Sequence, residues 1–123
     1  MGLALEVLQK WFSTADANLL AEDIHWSVSP GYPVSQQIYS SRQAVFENFF
    51  PELTAHFSSW SAKPEQFIEA DEQVIVKGRY VGQVKHSNKP IEVEFIHIWT
   101  VHDGVITAVT SVADTAQFTH HLN

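Results

Sequence analysis

The chain has 123 residues, no cysteine and a formal net charge of −7, from 14 acidic and 7 basic side chains. The length fits one domain, residues 1–123. The absence of cysteine excludes disulfides, thiolate nucleophiles and zinc–thiolate centres, and an acidic chain is a poor match for a phosphate backbone, so no nucleic acid is expected as a partner. Hydrophobic residues make up 45% of the chain and include 8 Phe, 4 Trp and 3 Tyr. That composition supports a core without staples, and the aromatics serve either as its filling or as the walls of a ligand pocket. No apolar run approaches the length of a membrane span, and no basic segment followed by an apolar run opens the chain. The expectation is a cytoplasmic protein with no membrane partner.

Leu3, Leu5, Val7, Leu8, Trp11 and Phe12 recur at helical spacing and predict a helix over 3–12. Asp16 is the expected N-cap of a short second helix carrying Leu19 and Leu20. Ile24, Trp26 and Val28 alternate with His25 and Ser27, as in a strand. Pro30, Gly31 and Pro33 make the next stretch a loop. Ser40, followed three residues later by Gln43, reads as a capping box. The helix it opens carries Val45, Phe46, Phe49, Phe50, Leu53 and Phe57, with Pro51 expected to kink or split it.

The second half reads as β-structure. Phe67 to Ala70 leads into a turn at Asp71, Glu72 and Gln73. Val74, Val76, Gly78, Tyr80, Gly82 and Val84 then share one face of a strand, with Lys77 and Arg79 on its opposite, solvated face. From Ile91 the apolar positions are Val93, Phe95, Trp99 and Val101, with His97 among them. Asp103-Gly104 is a hairpin signal, because both residues accept the positive φ of a tight turn. A last strand runs from Val105 to about Ala113. Helices first and strands afterwards indicate an α+β fold.

Four stretches carry a family resemblance: Leu20 to Trp26, Tyr39 to Val45, Phe95 to Ile106, and Ala113 to Ala116. In order and spacing the chain resembles the SnoaL-like branch of the nuclear transport factor 2-like superfamily, which also holds ketosteroid isomerases and limonene epoxide hydrolases. The resemblance implies a cone-shaped, cystatin-like fold, with N-terminal helices packed on a strongly curved, mostly antiparallel sheet. It also implies an internal pocket for a small hydrophobic molecule, and a homodimer. It names no reaction, since one fold hosts many.

His97 is the first candidate catalytic residue. An imidazole on an apolar strand face must find a hydrogen-bond partner. It is therefore either a pocket-facing base or orienting group, or a satisfied core histidine. Asp114 is the second candidate. The resemblance allows an acid near the end of the last strand to reach the pocket, yet Asp114-Thr115-Ala116-Gln117 is also a pattern that starts a helical turn. Phe12, Trp26, Tyr32, Tyr39, Phe49, Tyr80, Phe95 and Trp99 are the candidate ligand-binding residues. The arginine bracketed by acids that an epoxide hydrolase needs is replaced by His97 and Trp99, and the first helix offers Trp11 and Phe12 where the isomerases have a tyrosine. No metal site and no cofactor are expected. The activity expected is proton transfer of the isomerase or polyketide cyclase type, with a non-catalytic binding module as the alternative.

Overall fold

The computed structural model describes residues 3–122. Helix α1 (Leu3–Thr14) is followed by a 3-10 turn (Ala17–Leu19) and strand β1 (Leu20–Val28). After the proline loop come the two-residue strand β2 (Ile38–Tyr39), a helical stretch over 42–54, and strands β3 (Phe57–Ala70), β4 (Gln73–Val84), β5 (Pro90–His102) and β6 (Val105–Ala113). A short helix of residues Ala116–Leu122 closes the described chain. The six strands form one open sheet in the order β2-β1-β6-β5-β4-β3. All neighbours are antiparallel except β1 and β6, which run parallel. The fold is α+β, with α1 packed across β3, β4 and β5 on the concave side.

Local chemistry explains the elements. Asp16 caps the 3-10 turn by accepting from the Asn18 amide at 2.9 Å. Leu20, expected on that turn, instead opens β1 and is buried there. The long helix is capped one residue later than its sequence pattern suggests. Ser41, not Ser40, is the N-cap, its Oγ accepting from the Ala44 amide at 3.0 Å. The stretch then runs as α2 (Arg42–Ala44), a π-turn (Val45–Phe49) and α3 (Phe50–Thr54). Pro51 lacks an amide proton, and its ring crowds the carbonyl one turn earlier. The irregularity accordingly falls just ahead of it, as a widened turn in which the Phe50 amide donates to the Val45 carbonyl. Phe57 lies beyond this helix and starts β3.

The sheet curls because β3 folds closely over β4. A Cβ at Gly78 would collide with the Lys63 carbonyl oxygen and the Phe95 ring, and one at Gly82 would collide with the Ser59 carbonyl. Register shifts between Phe57 and Ser59, and between Pro64 and Gln66, sharpen the bend. Pro64 is tolerated because β3 is an edge strand. The β5–β6 hairpin turns on Asp103 and Gly104, with φ of 51° and 80°, as a tight primed turn requires. The concave face and α1 together bury one apolar core that includes Leu8, Ile24, Val45, Val93, Trp99 and Ile106.

Candidate functional site

The concave face is not filled solid. A cavity of about 300 Å³ lies between the C-terminal end of α1, the helical stretch and strands β1, β3, β4, β5 and β6. That is the lower end of the range for small-molecule sites, roughly 300–1,000 Å³. Its floor is made of buried side chains: Trp26, Phe49, Leu53, Tyr80, His97, Trp99 and Ser111. Its mouth is marked by the more exposed lining residues Phe12 and Ala15 on one side and Trp60, Ser61 and Ala62 on the other. Ala15 holds φ of 52°, where its amide donates back to the Trp11 carbonyl at 2.8 Å and ends α1 at the rim. The lining includes no carboxylate and no lysine or arginine.

His97 sits at the centre of the polar chemistry. It is 5% exposed. Its ring stacks on Phe95 at a centroid distance of 4.0 Å and lies parallel to Phe12 at 6.3 Å. Nε2 is 2.7 Å from the Tyr80 hydroxyl, which is in turn 2.9 Å from the Tyr32 hydroxyl. Nδ1 has no hydrogen-bond partner among the described residues. The indole nitrogens of Trp26 and Trp99 are in the same position. All three are out of reach of solvent, and a buried polar atom left unpaired costs about 1–3 kcal/mol. Three such atoms on residues that line one cavity are a concentrated departure from the usual full pairing of buried groups.

Burial shapes the ionisation of this cluster. Desolvation lowers the His97 pKa to about 3, so its ring is neutral at physiological pH. Desolvation, the dominant effect, also holds the Tyr80 and Tyr32 hydroxyls well above the ordinary tyrosine value, so both remain protonated donors.

The sequence candidates separate into two groups. His97, Phe12, Trp26, Phe49, Tyr80 and Trp99 are brought together around the cavity. Asp114 is not among the residues that line the cavity. It is exposed at the end of β6 on the convex side, where its carbonyl accepts from the Gln117 amide at 3.1 Å and starts the last helix. Three of the candidate ligand-binding residues also lie off the cavity surface. Phe95 is packed behind His97 and Tyr80 rather than on the cavity surface. Tyr39 turns its hydroxyl to Glu52 at 2.9 Å. Tyr32 meets the site through Tyr80, not by lining it. The sequence reading missed Trp11, Phe50, Trp60 and Ser111. Trp11 and Phe50 were visible on helical faces, whereas Trp60 lies on a strand whose alternation is broken by a bulge.

A family model, the SnoaL-like domain, matches residues 12–109. The chain belongs to the SnoaL-like domain family. No curated protein matches the sequence. Among solved structures, this SnoaL-like domain is similar to an NTF2-like protein from Burkholderia thailandensis (22% identity, TM-score 0.88, covering 100% of this chain and 99% of that one). It is also similar to TerC co-crystallized with polyporic acid (21% identity, TM-score 0.84, covering 98% of each chain). A third similar structure is a protein from Jannaschia sp. CCS1 named as a SnoaL-like polyketide cyclase (13% identity, TM-score 0.82, covering 98% of this chain and 91% of that one). At these identities the likeness is one of fold. The SnoaL-like domain therefore has the NTF2-like cone, a fold that also houses cyclases and isomerases.

Proposed function

We propose that this protein is a cofactor-independent enzyme that takes a compact, largely apolar carbonyl compound into the cavity and promotes proton transfer on it, in an isomerisation or an intramolecular cyclisation. The observation that carries this reading is the unpartnered Nδ1 of the buried, neutral His97, a residue that lines the cavity. A neutral imidazole can hydrogen-bond a substrate oxygen without bringing a charge into an apolar site, and such a contact gains strength as negative charge develops on that oxygen. Trp26 and Trp99, which line the cavity too, each carry a further unpartnered indole N–H. The aromatic floor supplies the burial that drives binding.

A second reading is a binding module for the same kind of ligand, and one observation favours it: no carboxylate lines the cavity to act as a strong base. The two part on one experiment. Small cyclic ketones are incubated with the protein in deuterated water, and α-proton exchange is followed by NMR. The α-proton passes to solvent water as His97 stabilises the enolate oxygen, and the enzyme reading expects exchange about 100-fold faster with the native protein than with His97→Phe, the order that one oxyanion-stabilising donor supplies. Ketones that bind both proteins and exchange with neither leave the binding module.

The assembly expected from the family resemblance is proposed here as well. A row of side chains crosses the convex face from Ile68 through Ile75, Ile98, Thr110 and Ser27 to Ile38, in direct register on six strands. Ile96 and Val112 extend it, and five of these apolar side chains are 40% or more exposed. An apolar band of this kind is where a second copy would dock.

A further inference from the structure

We propose that Tyr80 fixes His97 in the Nδ1–H tautomer, with Tyr32 behind it, so that the one unpartnered nitrogen of this cavity-lining residue is a donor. This deepens the reading of the cavity as a ligand site and rests on it for its meaning, though its test does not.

The Tyr80 hydroxyl is shared between His97 Nε2 at 2.7 Å and the Tyr32 hydroxyl at 2.9 Å. One hydroxyl has one proton, so Tyr80 either donates to Nε2 or accepts from Nε2–H and sends its own proton away, toward Tyr32 or the neighbouring Ser111. Two directions are possible. In the first, Tyr32 donates to Tyr80, Tyr80 donates to Nε2, and the imidazole proton sits on Nδ1. In the second, Nε2–H donates to Tyr80, Tyr80 donates to Tyr32 or Ser111, and Nδ1 is bare.

Acid and base strengths decide between them. A phenol is a far better proton donor than a neutral imidazole N–H, and an imidazole nitrogen, with a conjugate acid near 6.5, is a far better acceptor than a phenol oxygen. In a buried site the stronger pairing dominates, because no water competes for either group. The heavy-atom distances agree. The contact to Nε2 is the shorter of the two, and 2.7 Å lies at the short end of the range for hydrogen bonds between nitrogen and oxygen. Packing holds the tyrosine in this role. Tyr80 is 6% exposed and lies between the rings of Trp60 and Phe95, at 4.9 and 4.5 Å.

The consequence is chemical selectivity. With the proton on Nδ1, His97 is a donor at its unpartnered nitrogen, as are the indoles of Trp26 and Trp99, while Ser61, Ser111 and Tyr80 bring hydroxyls to the same lining. Nδ1–H then suits an oxygen that only accepts, such as that of a ketone, a quinone or an enolate. His97 acts there as a donor to the ligand oxygen and not as the base that removes a proton. Tyr80 is a positioning residue, acting through the ring it orients.

The test uses the ligand-free protein with 15N-labelled histidine and two-bond proton–nitrogen NMR. The expected result at neutral pH is a protonated, pyrrole-type nitrogen at Nδ1 of His97 and a bare, pyridine-type nitrogen at Nε2. In Tyr80→Phe the single tautomer gives way to a mixture or reverses, while in Tyr32→Phe it persists. A pyridine-type Nδ1 or a mixture in the native protein overturns the proposal, as does an unchanged tautomer in Tyr80→Phe. The native measurement decides the tautomer even where Tyr80→Phe does not fold. If the tautomer is as stated and no ketone binds, the proposed function fails while this inference stands.

Discussion

The two faces of β4 and β5 are built from alternate residues of the same strands, yet they obey different rules. On the concave face, Tyr80, Phe95, His97 and Trp99 are all nearly sealed from solvent, and each polar atom must find a partner or go without. On the convex face, Arg79 reaches Glu65 and Glu92 at 2.8 and 2.7 Å, but all three side chains are 41–57% exposed, and water competes for every contact. Polarity is costly and specific on one side of the sheet and cheap and interchangeable on the other. Functional readings therefore belong to the concave polar groups, and solubility or assembly to the convex ones.

The largest expected effect breaks this comparison from the inside. His97 takes up a proton near pH 6.5 when unfolded and near pH 3 when folded. Between those values the unfolded chain binds the extra proton, so stability falls as pH falls. The loss reaches about 3 kcal/mol by pH 4. Urea unfolding across pH 4–7 measures it, and the difference between native protein and His97→Phe isolates it. Parallel pH profiles for the two would remove His97 as the cause.

Gly78→Ala comes next. Its new Cβ meets the Lys63 carbonyl and the Phe95 ring where β3 closes over β4. The overpacking costs about 2 kcal/mol, read as a lower urea midpoint. The same substitution at an open turn, Gly104, meets no neighbouring atom and is disfavoured only by its φ of 80°. It serves as the comparison for backbone strain without crowding.

On the convex side the effects on folding shrink. Ile98→Lys changes stability by no more than about 0.5 kcal/mol, as for other exposed positions, but it places a charge in the middle of the apolar row. The expected result is a native dimer in sedimentation at micromolar concentration and a monomeric variant. A native monomer would end the proposal that two copies meet on this face. Arg79→Ala is the smallest. Its ion pairs lie in solvent and salt screens them, so the unfolding midpoint is expected to stay where it is.

Much of this contrast was legible in the sequence, and the reason is period. The alternation through β4 and β5 is unbroken from Val74 to Val84 and from Ile91 to Val101, so the inward set, including His97, could be read directly. Asp103-Gly104 marked its hairpin for an equally local reason. What escaped was decided elsewhere. Phe57 continues the helical spacing of Leu53, and only tertiary pairing with Val84 makes it a strand residue. The bulges and Pro64 hid β3 and with it Trp60. Adjacent serines at 40 and 41 offer nearly the same cap, and Gln43 pointed to the wrong one. The parallel pairing of β1 with β6 joins residues about 80 positions apart, such as Trp26 and Val109, and no local pattern announces it. Tyr32 sits in a loop, and its link to Tyr80 depends on a path that no periodicity encodes.

That loop is fastened from outside. Glu52 accepts from the Ser35 amide, the Ser35 hydroxyl and the Tyr39 hydroxyl, at 3.0, 2.9 and 2.9 Å, and Gly31 passes close against Thr115. The far end of the hydroxyl chain is therefore carried by a tethered surface segment, while the imidazole and the indoles are carried by the sheet. Changing the residue at position 32 would re-dress the back of the cavity and leave every strand pairing intact. The fold thus divides one polar chain between two supports: the sheet holds the imidazole and its tyrosine, and a fastened loop holds the last hydroxyl.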